Sequence, residues 1–439
     1  MYFIYISESY FSSLSLCWKL KCMINFERFS LENGLKVLVH RDTSTPIVAV
    51  NILYNVGAKD EQSDKTGFAH LFEHLMFGGS INIPKYDEPL QKVGGENNAF
   101  TNNDITNYYL TVPKQNLETA FWLESDRMLD LAFSKKSLEV QRNVVIEEFK
   151  QVFLNQPYGD AWLQLRPMAY KVHPYQWSTI GKEISHIENA MMKDVKAFYK
   201  KYYNPNNAIL VVAGDVSTDE VKEYAEKWFG PIPGGSDFTR SLPQEPKQLR
   251  SRSKTLKRDV PVNAIYKAYH MCARADEEYH STDLLSDLLS NGDSSRLYQE
   301  LVKNKHLFSE INAFITGDIE NGLFIITGKL TEGVDIKDAE KAIEKELEKV
   351  QTNSITEKEL QKVKNKIESS LIFSEMSILN KAMNLAFYEL LGDAQYINTE
   401  IDKYLKVQLD DIRTQAKKLF RKSNCSTLYY LANNGSQTQ

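Results

Sequence analysis

Residues 70–74 read His70-Leu71-Phe72-Glu73-His74, two imidazoles and a carboxylate inside one apolar, helix-prone stretch. A helix makes about 3.6 residues per turn, so His70 and His74 stand one above the other on a single face. Two neutral imidazoles so placed can close on one metal ion at the roughly 2.0–2.1 Å usual for Zn²⁺–N bonds. Glu73 lies beside His74 rather than across the helix, within reach of a water on the metal but not itself a ligand. Histidines on an apolar helix face are most often ordinary boundary residues. Here an acid stands between them, and Phe72, Leu75, Met76 and Phe77 surround them. Burial of three polar groups in that company is costly unless something pairs them, which favours the metal reading. A hydrolytic zinc site then needs a third protein ligand and one position left open for water.

The stretch Leu138 to Phe149 is the candidate source of that ligand. Leu138, Val145 and Phe149 fall at helical spacing and mark an inward face. Glu148, three past Val145 and next to Phe149, is nearer that face than Glu147. On periodicity alone, two solvated surface acids explain the pair equally well.

The texts Gly67 to Phe77, Gly94-Gly95-Glu96-Asn97-Asn98-Ala99-Phe100-Thr101 and Arg142 to Glu148 occur in this order. Together they resemble the pitrilysin/insulinase family of zinc peptidases, whose inverted H-x-x-E-H motif has a known mechanism. The resemblance spans about residues 23 to 439 and is strongest to the short members related to the mitochondrial processing peptidase. It implies zinc ligands at His70, His74 and Glu148, a general base at Glu73, and an endopeptidase acting on extended or unfolded peptides in a closed chamber. Family members often carry an acid seven residues before the ligand Glu; this chain has Gln141 there, which bears on how the ligands are oriented. Some relatives are scaffold or inactive subunits of larger complexes, generally with eroded pentads; the intact pentad here argues for an enzyme.

Asn98 to Thr101 and Thr106 to Val112 are β-prone segments around an Asn102-Asn103-Asp104 turn and read as a hairpin. In the related peptidases the strand with the Asn-Ala pair is an exposed edge to which substrate adds as an extra strand. The resemblance therefore assigns peptide-backbone binding to Asn98 and Ala99, against the plainer reading of a hairpin packed under the helix.

A duplicated α+β architecture is expected. Asp194-Val195 through Tyr203 and Asn207 to Val212 line up with Asp411-Ile412 through Phe420 and Asn424 to Tyr429, offset by 217 residues in a chain of 439. A helix ending in Lys-Lys before an apolar strand is thus used twice. We expect two homologous domains, each an antiparallel-rich sheet packed with helices: a catalytic domain over 23–230, a Pro/Gly-rich linker over 231–255 and a second domain over 256–439. Strand alternation marks Leu35 to His40, Ile47 to Tyr54, Ala264 to Met271 and Leu323 to Leu330. Helical patterns mark 114–131, 135–154, 191–203, 337–350 and 356–375. The segment matching the pentad helix, Ser281 to Asn291, lacks the motif, so the second domain is structural or substrate-positioning.

Residues 1–22 stand apart. They are rich in Tyr, Phe and Ser and lack both a basic n-region and a small-residue cleavage site, a poor export signal. Either a start at Met23 or a disordered tail accounts for them. A cryptic export signal is the lesser alternative; with so poor a signal and only 4 scattered Cys, a reducing, cytoplasmic setting is expected ahead of export or organellar targeting. A net charge of −5 gives no reason to expect nucleic acid as a partner, and no apolar run approaches the roughly 20 residues of a membrane span.

Pitrilysin-like enzymes enclose substrate between two bidomain halves, and this chain has the length of one. The resemblance therefore implies a dimer. Many relatives hold substrate with an Arg and a Tyr from a non-zinc domain, but Gly322 to Thr327 has no Arg. A heterodimer with a sister subunit is therefore favoured over a homodimer. His173, Pro174, Tyr175 and Ser294-Ser295-Arg296 are further candidates for substrate contact, although a helix start explains the serines equally well.

Overall fold

A computed structural model describes residues 23–236, 238–352 and 355–433; the 1–22 extension lies outside the described residues. The first half of the chain supplies strands β1 (Glu27–Ser30), β2 (Lys36–Arg41), β3 (Ile47–Tyr54), β4 (Glu96–Thr101), β5 (Thr106–Pro113) and β6 (Ala208–Gly214). Its helices are α1 (Phe68–Leu75), α2 (Asp87–Lys92), α3 (Leu117–Leu129), α4 (Lys135–Phe149), α5 (Ala161–Ala169), α6 (Ile184–Glu188), α7 (Met192–Tyr202) and α8 (Thr218–Trp228). The second half supplies β7 (Arg252–Arg258), β8 (Ala264–His270), β9 (Phe308–Ile315), β10 (Leu323–Leu330) and β11 (Cys425–Ala432). It also supplies α9 (Tyr279–Ser290), α10 (Ile336–Val350), α11 (Glu357–Ser374), α12 (Ile378–Leu390), α13 (Glu400–Lys406) and α14 (Leu409–Leu419). Strand β7 begins at Arg252, inside the segment expected as linker.

Both halves have one topology. The six-stranded sheet runs β1-β2-β6-β3-β5-β4 and the five-stranded sheet β7-β11-β8-β10-β9. In each, a parallel pair (β2 with β6, β7 with β11) is followed by antiparallel neighbours. The repeated helix-strand unit is α7–β6 in one half and α14–β11 in the other. The expected α+β, two-domain, antiparallel-rich fold is therefore the one observed.

Alternation along β3 shows how the sheets are covered. Val48, Val50, Ile52 and Tyr54 join the core of their own half. Ala49 and Leu53 point the other way, as successive strand residues must, and meet Ala382, Leu385 and Ala386 of α12 from the second half. The second sheet is treated likewise: Ala264, Ala268, Ile325 and Leu428 pack on Ala161, Leu165 and Ala169 of α5 from the first half. Each half thus lends a helix to cover its partner's sheet. Neither α5 nor α12 was anticipated from the sequence.

A polar joint reinforces this exchange. Asp104, in the β4–β5 turn, accepts from Lys59 Nζ at 2.8 Å, from the Tyr175 hydroxyl at 2.6 Å and from the Ile319 backbone N–H at 2.9 Å. Asn103 donates to Asp318 at 2.6 Å. The hairpin of the first sheet is therefore tied to the β9–β10 connection of the second. This corrects the reading of His173 and Tyr175 as substrate contacts, since both are buried within the joint. Ser295 is fully buried and Arg296 pairs with Glu359 at 2.8 Å, so those two residues also serve the fold.

Candidate metal centre

The pentad lies on α1, as its spacing predicts. The turn before it requires glycine: Gly67 has φ +88°, and a Cβ there would stand 2.7 Å from Ile187 Cδ1 and 2.8 Å from the Ile180 carbonyl. The exposed N–H groups at the helix start are taken by Glu61, whose carboxylate accepts from Gly67 at 2.9 Å and from Ala69 at 2.8 Å. Burial pushes the Glu61 carboxyl well up, against these hydrogen bonds. Sequence reasoning missed Glu61, because nothing local marks an acid six residues upstream as a helix anchor.

Leu71, Phe72 and Leu75 anchor the inner face of α1, leaving His70, Glu73 and His74 half-buried on the opposite face. Helix α4 packs across α1 and delivers Glu148. Its Oε2 lies 3.4 Å from His74 Nε2 and 3.7 Å from His70 Nε2. The imidazole rings stand edge to face with centroids 4.8 Å apart, and the three donor atoms lie within 4.8 Å of one another. Glu147 instead pairs with Lys150 at the surface. Burial depresses the His70 imidazole to about 4, with Glu148 opposing and His74 assisting. The hydrogen bond from His74 holds the Glu148 carboxyl below its ordinary value despite partial burial. A neutral imidazole and an ionised carboxylate are the forms a metal takes.

Glu73 has a different environment. Burial raises its carboxyl, while hydrogen bonding with Thr101 and the His74 charge pull it down. Thr101 ends β4, the edge strand of the first sheet, so the acid of the pentad is linked directly to that edge. Asn98 is exposed and its Oδ1 accepts from the Ala99 N–H at 2.8 Å. The expected site residues therefore form two adjoining groups: His70, His74 and Glu148 around one point, and Asn98 and Ala99 on the strand beside Glu73. Among the described residues, none hydrogen bonds to the buried Nδ1 of His70.

Two imidazoles and one carboxylate are the donor types that Zn²⁺ takes when a coordination position is left open. Two equivalent α+β domains, only one of which carries this donor set on an H-x-x-E-H helix, define the architecture of the inverted-motif metallopeptidases. The family model described as insulinase, peptidase family M16, matches residues 36–181. The model described as peptidase M16 inactive domain matches residues 190–367. The chain is 30% identical to the zinc protease PqqE of Helicobacter pylori over 92% of both chains. It is 24% identical to the mitochondrial-processing peptidase subunit beta of Saccharomyces cerevisiae over 78% of this chain and 77% of that one. A crystal structure of a protease from Helicobacter pylori superposes with a TM-score of 0.87 at 29% identity, covering 93% of this chain and all of that one. Pitrilysin shares the fold at a TM-score of 0.72 and 18% identity, and the match covers 45% of its chain. The chain belongs to the insulinase family of peptidases, M16.

Proposed function

We propose that the chain is a zinc-dependent endopeptidase that hydrolyses extended or unfolded peptides, with His70, His74 and Glu148 holding the metal and Glu73 acting as general base. The observation that carries this reading is the approach of Glu148 to both Nε2 atoms beside an ionisable Glu73. When bound, zinc would supply Lewis-acid chemistry, making a water more acidic and polarising the scissile carbonyl. Glu73 takes a proton from the attacking water and returns it to the leaving amine. The free edge of β4 aligns the peptide: addition of a strand there places a carbonyl near α1, with Asn98 giving up its bond to Ala99 so that the Ala99 N–H can serve the substrate.

The chain corresponds to one half of a chamber, so a dimer completes the enclosure. A sister subunit without zinc is the favoured partner, since β10 contains no Arg. A cytoplasmic site of action is part of the same reading. Among the described residues no helix is long and apolar enough to cross a membrane. The alternative is a zinc-binding or scaffold subunit of a larger complex with little activity alone.

The test is hydrolysis of a quenched peptide library by the purified chain, alone and with a candidate sister subunit, with and without a chelator. Hydrolysis that chelation removes is expected. A chain that binds no zinc and cleaves nothing in either setting would overturn the reading.

A further inference from the structure

The segment between α5 and α7 runs past both helices of the metal centre. It leaves the joint at His173 and Tyr175, crosses the start of α1 and forms the short helix α6 against α4. Trp177 gives its indole N–H to the Ala58 carbonyl at 3.0 Å, in the turn that leads to α1. Two glycines then meet. Gly181 has φ +108°, and a Cβ there would stand 3.2 Å from the Thr66 carbonyl and 3.4 Å from Gly67 Cα. Main chain therefore lies directly on main chain at the turn that aims His70 and His74.

Side chains complete this contact. Nδ1 of His186, on α6, accepts the Thr66 N–H at 3.3 Å and the Thr66 hydroxyl at 2.8 Å. The same hydroxyl accepts the Lys182 N–H at 2.8 Å. Ile187 is buried in one apolar core with Leu71 of α1 and Val145 of α4. At the far end of α6, Arg142 of α4 donates from Nη1 to the Glu188 carbonyl at 2.7 Å. The last carbonyls of a helix have no partner inside it, and a cation there also meets the negative end of the dipole.

Capping alone would account for such a bond on an ordinary surface helix. Here the two elements that α6 ties together carry the donor set: α1 supplies His70 and His74, and α4 supplies Glu148. Arg142 precedes Glu148 by six residues on one continuous helix, about 9 Å along its axis at 1.5 Å per residue. The three donor atoms converge only while those two helices keep their spacing.

We propose that α6 is a clamp that fixes the spacing of the two donor helices, with Arg142 as a positioning residue that acts through Glu148. The clamp rests on the metal-binding part of the proposed function and adds to it a residue that touches neither metal nor substrate.

The test uses the full chain, calorimetric titration of zinc, and Co²⁺, whose visible absorption reports the ligand field of a site that takes Zn²⁺. Arg142→Ala should weaken zinc binding about tenfold and change the cobalt bands at saturating metal. Arg142→Lys should restore both, because the bond uses a single N–H that an ammonium can supply. The urea midpoint of the metal-free chain should be the same in all three, since Arg142 lies at the surface. Zinc affinity and cobalt bands unchanged in Arg142→Ala would overturn the clamp. So would a loss that follows a lowered urea midpoint and that lysine does not restore. Neither metal readout needs hydrolysis. The expected differences in a wild type and variants that cleave nothing would keep the clamp and remove the peptidase reading; unchanged metal binding in chains that cleave would do the reverse.

Discussion

Glu148 Oε2 stands 3.4 Å from His74 Nε2 although 74 residues separate the two in sequence, and the packing of α4 across α1 is what brings them together. A metal that binds only the folded protein must then stabilise it. Zinc at about 1,000 times its dissociation constant adds roughly 4 kcal/mol. We expect thermal unfolding of the wild-type chain to move to higher temperature with zinc. The Glu148→Gln chain should show little such shift, and calorimetric titration of zinc would read the lost ligand directly.

Lys59 and Asp104 form an ion pair in which both side chains are almost wholly buried. Removing one partner leaves the other charge uncompensated, which costs about 3–5 kcal/mol. Asp104→Ala is expected to lose stability of that order by urea denaturation. The loss should also loosen the β4–β5 hairpin from the second domain, seen as faster amide exchange around Asn103 and Ile319.

Helix α12 covers the first sheet through Leu385, which is fully buried. Leu385→Ala should destabilise the chain by about 2–5 kcal/mol. Because α5 and α12 are exchanged between halves, the two sheets should unfold in one cooperative transition. An isolated 23–230 fragment, lacking α12, should expose apolar sheet surface and bind a hydrophobic dye.

The exchange also explains what the sequence made legible. The pentad, the strand alternation at Ile47 to Tyr54 and the repeat joining α7–β6 to α14–β11 are local periodic signals, and each element forms within three residues of where its pattern lies. Helices α5 and α12 were not seen because their partners are distant sheets, and Pro167 inside α5 argues locally against a helix. The roles of Glu61, Asp104 and Thr101 were hidden for the same reason. Each acts through a hydrogen bond or ion pair that sequence spacing does not encode. His173 and Tyr175 read as loop candidates for substrate contact, whereas their aromatic rings pack together in the joint, with centroids 4.2 Å apart.

Glu400 provides a pH handle on stability. Burial pushes its carboxyl up, but hydrogen bonds and charges from His280 and Arg274 outweigh this and hold it at about 2, below an ordinary 4.5. A depressed carboxylate contributes stability that is present above its unfolded value and is lost as pH falls from about 4.5 toward 2. Stability should therefore decline through that window. Glu400→Gln should cost about 2–3 kcal/mol near neutral pH and flatten the acid limb. Urea midpoints measured across the acid range would check both.

The most direct test of the account pairs zinc stoichiometry with peptide hydrolysis in wild-type and Glu73→Gln chains, each assayed with any subunit the wild type requires. The account predicts equal zinc content and a loss of turnover on the order of 10²–10⁴-fold in Glu73→Gln. A Glu73→Gln chain that holds zinc and cleaves peptide at the wild-type rate would contradict it.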